Sequence, residues 1–546
     1  MALSPKGACE MFATELSVSV EQDFPQDAFP PARLSSTHSK KNMINIPKFA
    51  KPICIILVLM LILCSCTKTE IETGDTEAVP TPQKAISLPY CPTDTLNPYE
   101  CESQMNLDLA SLFCEPLYDV DSSLSPINCL GTASVTEGDK LTVVLRAAKF
   151  SDGTSLTPED VVYSFQTAKN SDNYSASLSV FSGCEALGTS VVFTLKRTNK
   201  YALSLLTFPI IKYESDKNDQ IPIGTGKYKL KDSCDGFEMN TYYRSVPTDI
   251  ASINLVAVTD SEKLCYNLET GKIDALTYNL SSFRYPGLLT NVRKTSSNSL
   301  VFLGFNSSST LAGHSEIRRA VSLCLNRNEF ANAVYSSCGT PTYTPFNPRW
   351  YEIENLPLSV EDTSVDTAKA GEILSAFGYD TIQDSGIRRN SYGSLTLNLI
   401  VYRNSEYKTS AAETIKTTLA KAGINVTVSS YSREDFFTAL ESGSYDMYLG
   451  EVKLPYDCDL SCFFSSNGSV SYGINTSSEC AEKYFEFRDE SCDITDFLDA
   501  FFDEIPFVPL CFRQDILVAN NSKITFGTNN TVNNLYYDIE NWTVTG

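Results

Sequence analysis

The sequence predicts an α/β protein of two or more lobes, on three observations. About 480 residues follow an apolar run that ends at Cys66, too many for one hydrophobic core. Along them, strand-like alternation recurs between segments with a helical apolar face. Between the run and the first strand, residues 67 to about 84 are Thr, Glu, Pro and Asp with little to bury, a flexible tether.

The run itself comes first. Lys48 and Lys51 precede apolar residues from Ile53 to Leu63. Spanning a bilayer takes about 20 such residues, so this stretch is too short, but it suits the core of a signal peptide behind a basic start. Its ending, Leu63-Cys64-Ser65-Cys66, resembles the lipobox of bacterial lipoproteins. That resemblance implies cleavage before Cys66, diacylglycerol on its thiol, and attachment of the rest to the extracytoplasmic face of the membrane. The bland alternatives are an uncut signal anchor and a buried core helix. Residues 1–42 are rich in Ser, Pro and Lys without a periodic apolar face. Residues 43–65 form a signal peptide of ordinary length, so the expectation is a start at Met43 and a non-native extension before it.

Composition narrows the partners. A net charge of −23 argues against nucleic acid, which needs a basic face. An apolar fraction of 42% and a charged fraction of 20% are ordinary for a folded protein. Tyr (28) far outnumbers Trp (2), which suits a polar pocket that stacks on its ligand as well as a core. Fourteen of the 18 cysteines follow Cys66, none in a C-x-x-C pair, and His314 is the single histidine there. The usual zinc spacings are absent, so no metal site and no cofactor is expected. Disulfides and free thiols both remain open.

The folded part begins near Ile86 with an apolar strand running into the turn Leu96-Asn97-Pro98. Leu107, Leu109, Leu112 and Phe113 suggest a helix. Lys140 to Ala148 alternates as a strand and leads to the turn Asp152-Gly153. Thr157, Pro158 and Asp160 then spell a helix start, with a capping residue, a proline at the first helical position and a capping-box acid. Val161, Val162, Phe165 and Ala168 fall on one face of that helix.

Residues 149–168, KFSDGTSLTPEDVVYSFQTA, resemble the signature of the family 5 extracellular solute-binding proteins. Further matches follow in order. Gly224-Thr225-Gly226-Lys227-Tyr228 is similar to the family's G-T-G-P-Y element, with Lys227 where Pro is usual. Residues 253–276 end in a Gly-x-x-Asp element. Phe302-Leu303-Gly304-Phe305-Asn306 precedes a helix whose Asn326-Arg327 stands where Asp-Arg is usual. Residues 419–428 with Tyr445-Asp446-Met447, and residues 505–510 with Arg513-Gln514-Asp515, complete the set.

The resemblance implies a two-lobed periplasmic-binding-protein-like fold of the class II type. Residues 85–300 and 505–546 would form lobe I and residues 301–504 lobe II. The crossings are expected near residues 299–305 and 505–512, with ligand in the cleft and hinge closure around it. It implies a lipid-anchored capture protein for a small solute, first of all an oligopeptide, working with separate ABC permease chains. A sensing receptor on the same fold, or a sugar or metal-complex binder, is the alternative.

Catalysis finds little support. Ser405-Glu406-Tyr407-Lys408 and Ser171-Asp172-Asn173 match short β-lactamase motifs, but in the wrong order and without a K-T-G. His314 reads as a surface loop residue beside a helix start. For ligand contact, the loop after the strand ending at Asp446-Met447 is the place to look. In the peptide-binding branch this loop supplies a carboxylate for the peptide's α-amino group, which implies Asp457, or else Asp459, in that role. The chain departs from the family there, with Gly450-Glu451 for the usual Gly-Trp and Lys453 adding a cation. Glu451 and Lys453 are themselves candidates to face the cleft; the alternative is a mutual rim ion pair worth under about 1 kcal/mol. Tyr402 and Arg403, ending a strand, could stack on and neutralise a ligand carboxylate. Tyr278 is a further candidate at a cleft edge.

Overall fold

Apolar strands that alternate with amphipathic helices must bury their apolar faces on one another, and three sheets carry most of this burial. The computed structural model describes residues 84–545 apart from 218–219, 245–247, 261, 279–290, 360–363, 404, 521–522 and 530. The expected extension, signal segment and lipid-bearing Cys66 lie outside the described residues, as does nearly all of the tether.

The first sheet opens with Lys84–Tyr90, parallel to Ile250–Ala257, and continues antiparallel through Gly236–Met239 to Tyr228–Leu230. Ile86 and Leu88 are fully buried in it, as their alternation requires. Helix α1, Gln104–Phe113, packs Leu109, Leu112 and Phe113 into the same core. The second sheet is antiparallel, ordered Gly131–Glu137, Lys140–Leu145, Ser190–Leu195, Phe181–Leu187. The helix Pro158–Lys169 starts with the expected capping box, and Val161, Phe165 and Ala168 are buried; Val162 is half-buried.

The Gly224-Thr225-Gly226 motif has a concrete task. Gly226 donates its N–H to the carbonyl of Phe113 at 2.9 Å, and Thr225 Oγ1 donates to Glu115 Oε2 at 2.9 Å. The end of α1 therefore rests directly on this backbone. Lys227 does what the usual proline could not: its ammonium donates to the carbonyl of Tyr537 at 2.5 Å and pairs with Glu540.

The third sheet has seven strands. Its centre is made by strands β1, Asn291–Phe305, β2, Met447–Lys453, and β3, Phe507–Ala519. The order is Ala275–Tyr278, β3, β1, β2, Thr396–Tyr402, Asn425–Tyr431, with Gly339–Pro341 added along β3. β1 and β3 contain the segments 299–305 and 507–512, where the crossings are expected, and both extend beyond them. They pair antiparallel from Asn291–Ala519 to Ser296–Gln514 and again from Leu300–Phe512 to Gly304–Phe507. Between these ladders, Ser297, Asn298 and Ser299 bulge out of register. Asn298 is fully buried in the left-handed region at φ 55°, where Asn is tolerated better than most residues. Its amide donates to the carbonyls of Leu454 and Pro455, both at 3.0 Å, so the bulge is tied to the loop that follows β2.

One face of this sheet packs on the helices Ser315–Cys324, Arg327–Tyr335 and Glu406–Lys421, burying Val301, Leu303, Leu449 and Leu510. The opposite face packs Leu300, Phe302, Tyr448 and Phe512 against Trp350, Phe463, Phe497 and helix α2, Glu479–Arg488. Val120, Leu124 and Tyr201, from the N-terminal part of the chain, share that second core. His314 is the exposed N-cap of the helix Ser315–Cys324 and stacks on Phe377 at 4.8 Å. Cys101, Cys114, Cys324, Cys338, Cys458, Cys480 and Cys511 are buried as free thiols. Among the described residues no helix is long and apolar enough to cross a membrane.

Candidate functional site

The strand expected to end at Asp446-Met447 instead begins at Met447 and runs to Lys453, because it pairs with β1 along that length. Glu451 and Lys453 therefore lie in β2 rather than in a loop, on a strand whose side chains alternate between two faces. Met447 and Leu449 face the core, and the next two residues in that series, Glu451 and Lys453, carry polar groups out of it. The strand thus delivers two charges beside the bulge, where Ser299 opposes Lys453. Glu451 does not pair with Lys453. It forms an ion pair with Arg513 of β3, with only 12% of the Glu451 side chain and 6% of the Arg513 side chain exposed, so this is a buried pair rather than a rim pair. Burial opposes the Arg513 charge, but Glu451 and then Asp515 outweigh it and hold the guanidinium above its usual range. Lys453 is exposed and has no ion-pair partner among the described residues.

Two carboxyls share this neighbourhood. Asp108 on α1 accepts from Gln104 Nε2 at 2.7 Å and is pushed up to about 6, by burial first; Thr277 and Gln104 pull it down, Asp515 pushes it up, and Lys453 lowers it. Asp515 on β3 is raised too, by burial, against Arg513 and Lys453. Both keep partial solvent access. Burial is the first cause of both shifts, so each carboxyl loses much of its hydration in the fold. Thr277 lies opposite Leu517 of β3, which fixes this corner against α1. Asp515 makes no ion pair or side-chain hydrogen bond among the described residues. Tyr456, half-buried in the following loop, responds to Lys453, Asp515 and Asp108 and so belongs to the same group. The result is a set of charges of both signs, two of them uncommitted, between α1 and the crossing strands.

A second constellation lies farther along the loop. Asp457 is buried, and its Oδ2 accepts from Arg488 Nη2 at 2.9 Å and from Asn199 Nδ2 at 2.8 Å. Arg488 Nη1 also donates to the Asp457 carbonyl at 2.8 Å. Asp457 Oδ1 accepts the backbone N–H of Asp459 at 3.2 Å. Both carboxylate oxygens are therefore engaged from within, and Asp457 is not open to a ligand's ammonium group in this structure. Burial pushes its carboxyl up, and Arg488 opposes that shift. Asp459 is half-buried; its Oδ1 accepts from Tyr484 Oη and from the backbone N–H of Ser461 at 2.8 Å.

The remaining candidates lie on or just past strands flanking these groups. Tyr402 is half-buried, with the Lys408 ammonium 5.7 Å from its ring centre, and Arg403 is exposed, its backbone N–H bound to the Tyr431 carbonyl at 2.9 Å. Tyr278 pairs with Ile516 of β3, but its side chain lies outside the described residues. Sequence reasoning passed over Asp108, Arg513, Asp515, Asn199 and Arg488. For β3 a signal existed: Arg513-Gln514-Asp515 interrupts an otherwise apolar strand. Among the described residues no group of three or more His, Cys, Asp or Glu side chains could hold a metal ion.

A further carboxyl supplies a pH signature. Asp119 is buried, accepts from Asn533 Nδ2 at 2.9 Å, and is pushed up to about 6 by burial, with Glu115 adding to the shift and Lys227 opposing it. A raised carboxyl holds its proton in the folded state over a range in which the unfolded chain has released it. Stability from this group is therefore present at low pH and is lost as pH rises from about 4 to about 6, by roughly 2–3 kcal/mol. Urea midpoints measured across that range should fall less steeply in Asp119→Asn than in the parent; equal slopes would assign the proton elsewhere.

Comparison with known proteins gives a consistent picture. The model of the bacterial extracellular solute-binding proteins, family 5 Middle, matches residues 129–464. Protein XP55 of Streptomyces lividans is 26% identical over 360 residues, covering 62% of this chain and 65% of that protein. The oligopeptide-binding protein AppA of Bacillus subtilis (strain 168) is 22% identical over 309 residues, 52% of this chain and 56% of AppA. The chain thus spans less than two thirds of the length of these two curated relatives. Among solved structures, an ABC transporter substrate-binding protein from Sinorhizobium meliloti superposes with a TM-score of 0.70 at 18% identity, covering 85% of this chain and 100% of that one, so the fold is shared.

Proposed function

This chain belongs to the family 5 bacterial extracellular solute-binding proteins, and from that premise we propose that it is the capture subunit of an ABC-type importer, which binds a small solute, an oligopeptide first of all, and passes it to separate permease chains. It changes no covalent bond in the solute. Diacylglycerol on Cys66 and the tether behind it hold the binder at the extracytoplasmic face of the membrane, within reach of the permease. Binding shifts an open form toward a closed one because the solute contacts both lobes at once.

The observation that carries this reading is the charge set between α1 and the crossing strands. Asp515 and Lys453 are the two charged members with neither an ion-pair partner nor a side-chain hydrogen bond among the described residues. A peptide brings one ammonium and one carboxylate, the two charges this set leaves unanswered. The amino anchor assigned by resemblance to Asp457 passes on this reading to Asp515, with Asp108 beside it, since Asp457 already serves Arg488 and Asn199.

Thermal-shift screening of the mature chain against peptides of two to six residues tests the proposal, followed by calorimetry on the best of them. Asp515→Asn is expected to weaken that peptide about 10-fold or more, and Asp457→Asn to act mainly on stability. If no peptide raises the melting temperature, the peptide assignment falls. If Asp515→Asn binds as tightly as the parent, the anchor lies elsewhere.

A further inference from the structure

A recess of about 310 Å³ opens beside the Asp457–Arg488 pair, a volume at the small end of ligand sites. One wall is the segment that leaves the second sheet, Lys196 to Asn199, with Ser179 beside it; the other is Asp459, Ser461 and Arg488. Its polar groups are mostly donors, and most of those donors are idle. Among the described residues the Lys196 ammonium has no carboxylate or carbonyl partner, and the hydroxyls of Ser179, Thr198 and Ser461 make no hydrogen bond. Arg197 reaches only Asp489, at 3.9 Å between side chains that are both more than half exposed, a contact of little strength. The single carboxylate in the lining, Asp459, already has one oxygen committed to Tyr484 and Ser461. Burial first, and then the nearby Lys196 ammonium, disfavours the charge on Lys169, so a further cation lies near the recess.

In a chain of net charge −23, a concave surface with free ammonium, guanidinium and hydroxyl donors is set for an acceptor with several oxygens. We propose that this recess is an oxyanion site, taking a carboxylate or phosphate group between Lys196, Arg197 and the hydroxyls of Thr198 and Ser461. The two walls come from chain segments more than 250 residues apart, one leaving the second sheet and the other following β2. An occupant touches both, so it favours the arrangement in which they meet. The recess shares no lining residue with the Asp515–Lys453 group.

The experiment uses the mature chain and two probes. Inorganic phosphate is titrated by calorimetry and thermal shift at constant ionic strength, with chloride as the reference. The best peptide from the screen is compared with its C-terminal amide. The variant is Lys196→Gln with Arg197→Gln, two exposed positions whose exchange should leave the phosphate-free melting temperature unchanged. The expected result is a phosphate shift beyond that of chloride, weakened about 10-fold or more in the double variant. If the peptide but not its amide loses affinity to the same degree in that variant, the resident oxyanion is the solute's own carboxylate. If only phosphate does, it is a free anion. Phosphate acting no differently from chloride, with peptide affinity unchanged in the variant, overturns the oxyanion site while leaving peptide capture standing.

Discussion

Arg488→Met should cost about 3–5 kcal/mol of folding stability, because it leaves the buried Asp457 carboxylate without its cation. The Arg488 side chain is 7% exposed and the Asp457 side chain 1%, so water cannot replace the lost partner. Asn199 would remain as one neutral donor to Asp457 Oδ2. The arginine also ties the Asp457 carbonyl, so the loop after β2 loses a backbone anchor at the same time. Urea unfolding of Arg488→Met, of Asp457→Asn and of the pair together separates these effects. The double variant is expected to recover part of the loss, since no charge is then left buried. A loss under about 1 kcal/mol for Arg488→Met would mean that the pair behaves like an exposed one.

The second large effect is expected at Gly226→Ala. A methyl group there would come within 2.4 Å of the Phe113 carbonyl carbon and 2.6 Å of the Leu112 carbonyl oxygen. Both are backbone atoms at the end of α1, so no side-chain rotation relieves the clash. Either α1 lifts, or the 2.9 Å bond from the Gly226 N–H to the Phe113 carbonyl breaks. A loss of about 3 kcal/mol or more follows, in the range of overpacking and strained-backbone changes. Because α1 carries Asp108, ligand affinity should fall with it. Gly183→Ala is the matched control: an added methyl there meets nothing within 4 Å, and its effect should stay within about 0.5 kcal/mol. Equal thermal midpoints for the two variants would remove close backbone approach as the reason for the Gly-Thr-Gly motif.

What could be foreseen divides along the reach of each interaction. The capping box at Thr157 and Asp160, the buried face of the following helix, and the strand at Ile86 depend on residues within a turn or two, and their chemistry is written locally. The strands at residues 299–305 and 505–512 were expected shorter than β1 and β3 are, since these two hold each other through a pairing that no local pattern states. At the site, the departure from the family pattern brought forward Glu451 and Lys453, in a stretch expected as a loop and found as strand β2. It could not reveal that Glu451 is answered by Arg513, or Asp457 by Arg488 and Asn199, because those partners lie 31 to 258 residues away in the chain. Tyr402 and Arg403 stand at the end of a strand that pairs with β2 on the side away from β1 and β3, a placement that strand order sets and no local pattern states.

The buried thiols carry a consequence for where this chain can mature. Burial pushes Cys101 and Cys324 up to about 12 and raises Cys114, Cys458, Cys480 and Cys511 as well. The reactive form of cysteine is the thiolate, which these side chains withhold at neutral pH. Among the described residues none of these six is bridged, so the packing around them needs no disulfide. For that part of the core, the redox poise of the compartment drops out of the folding equation.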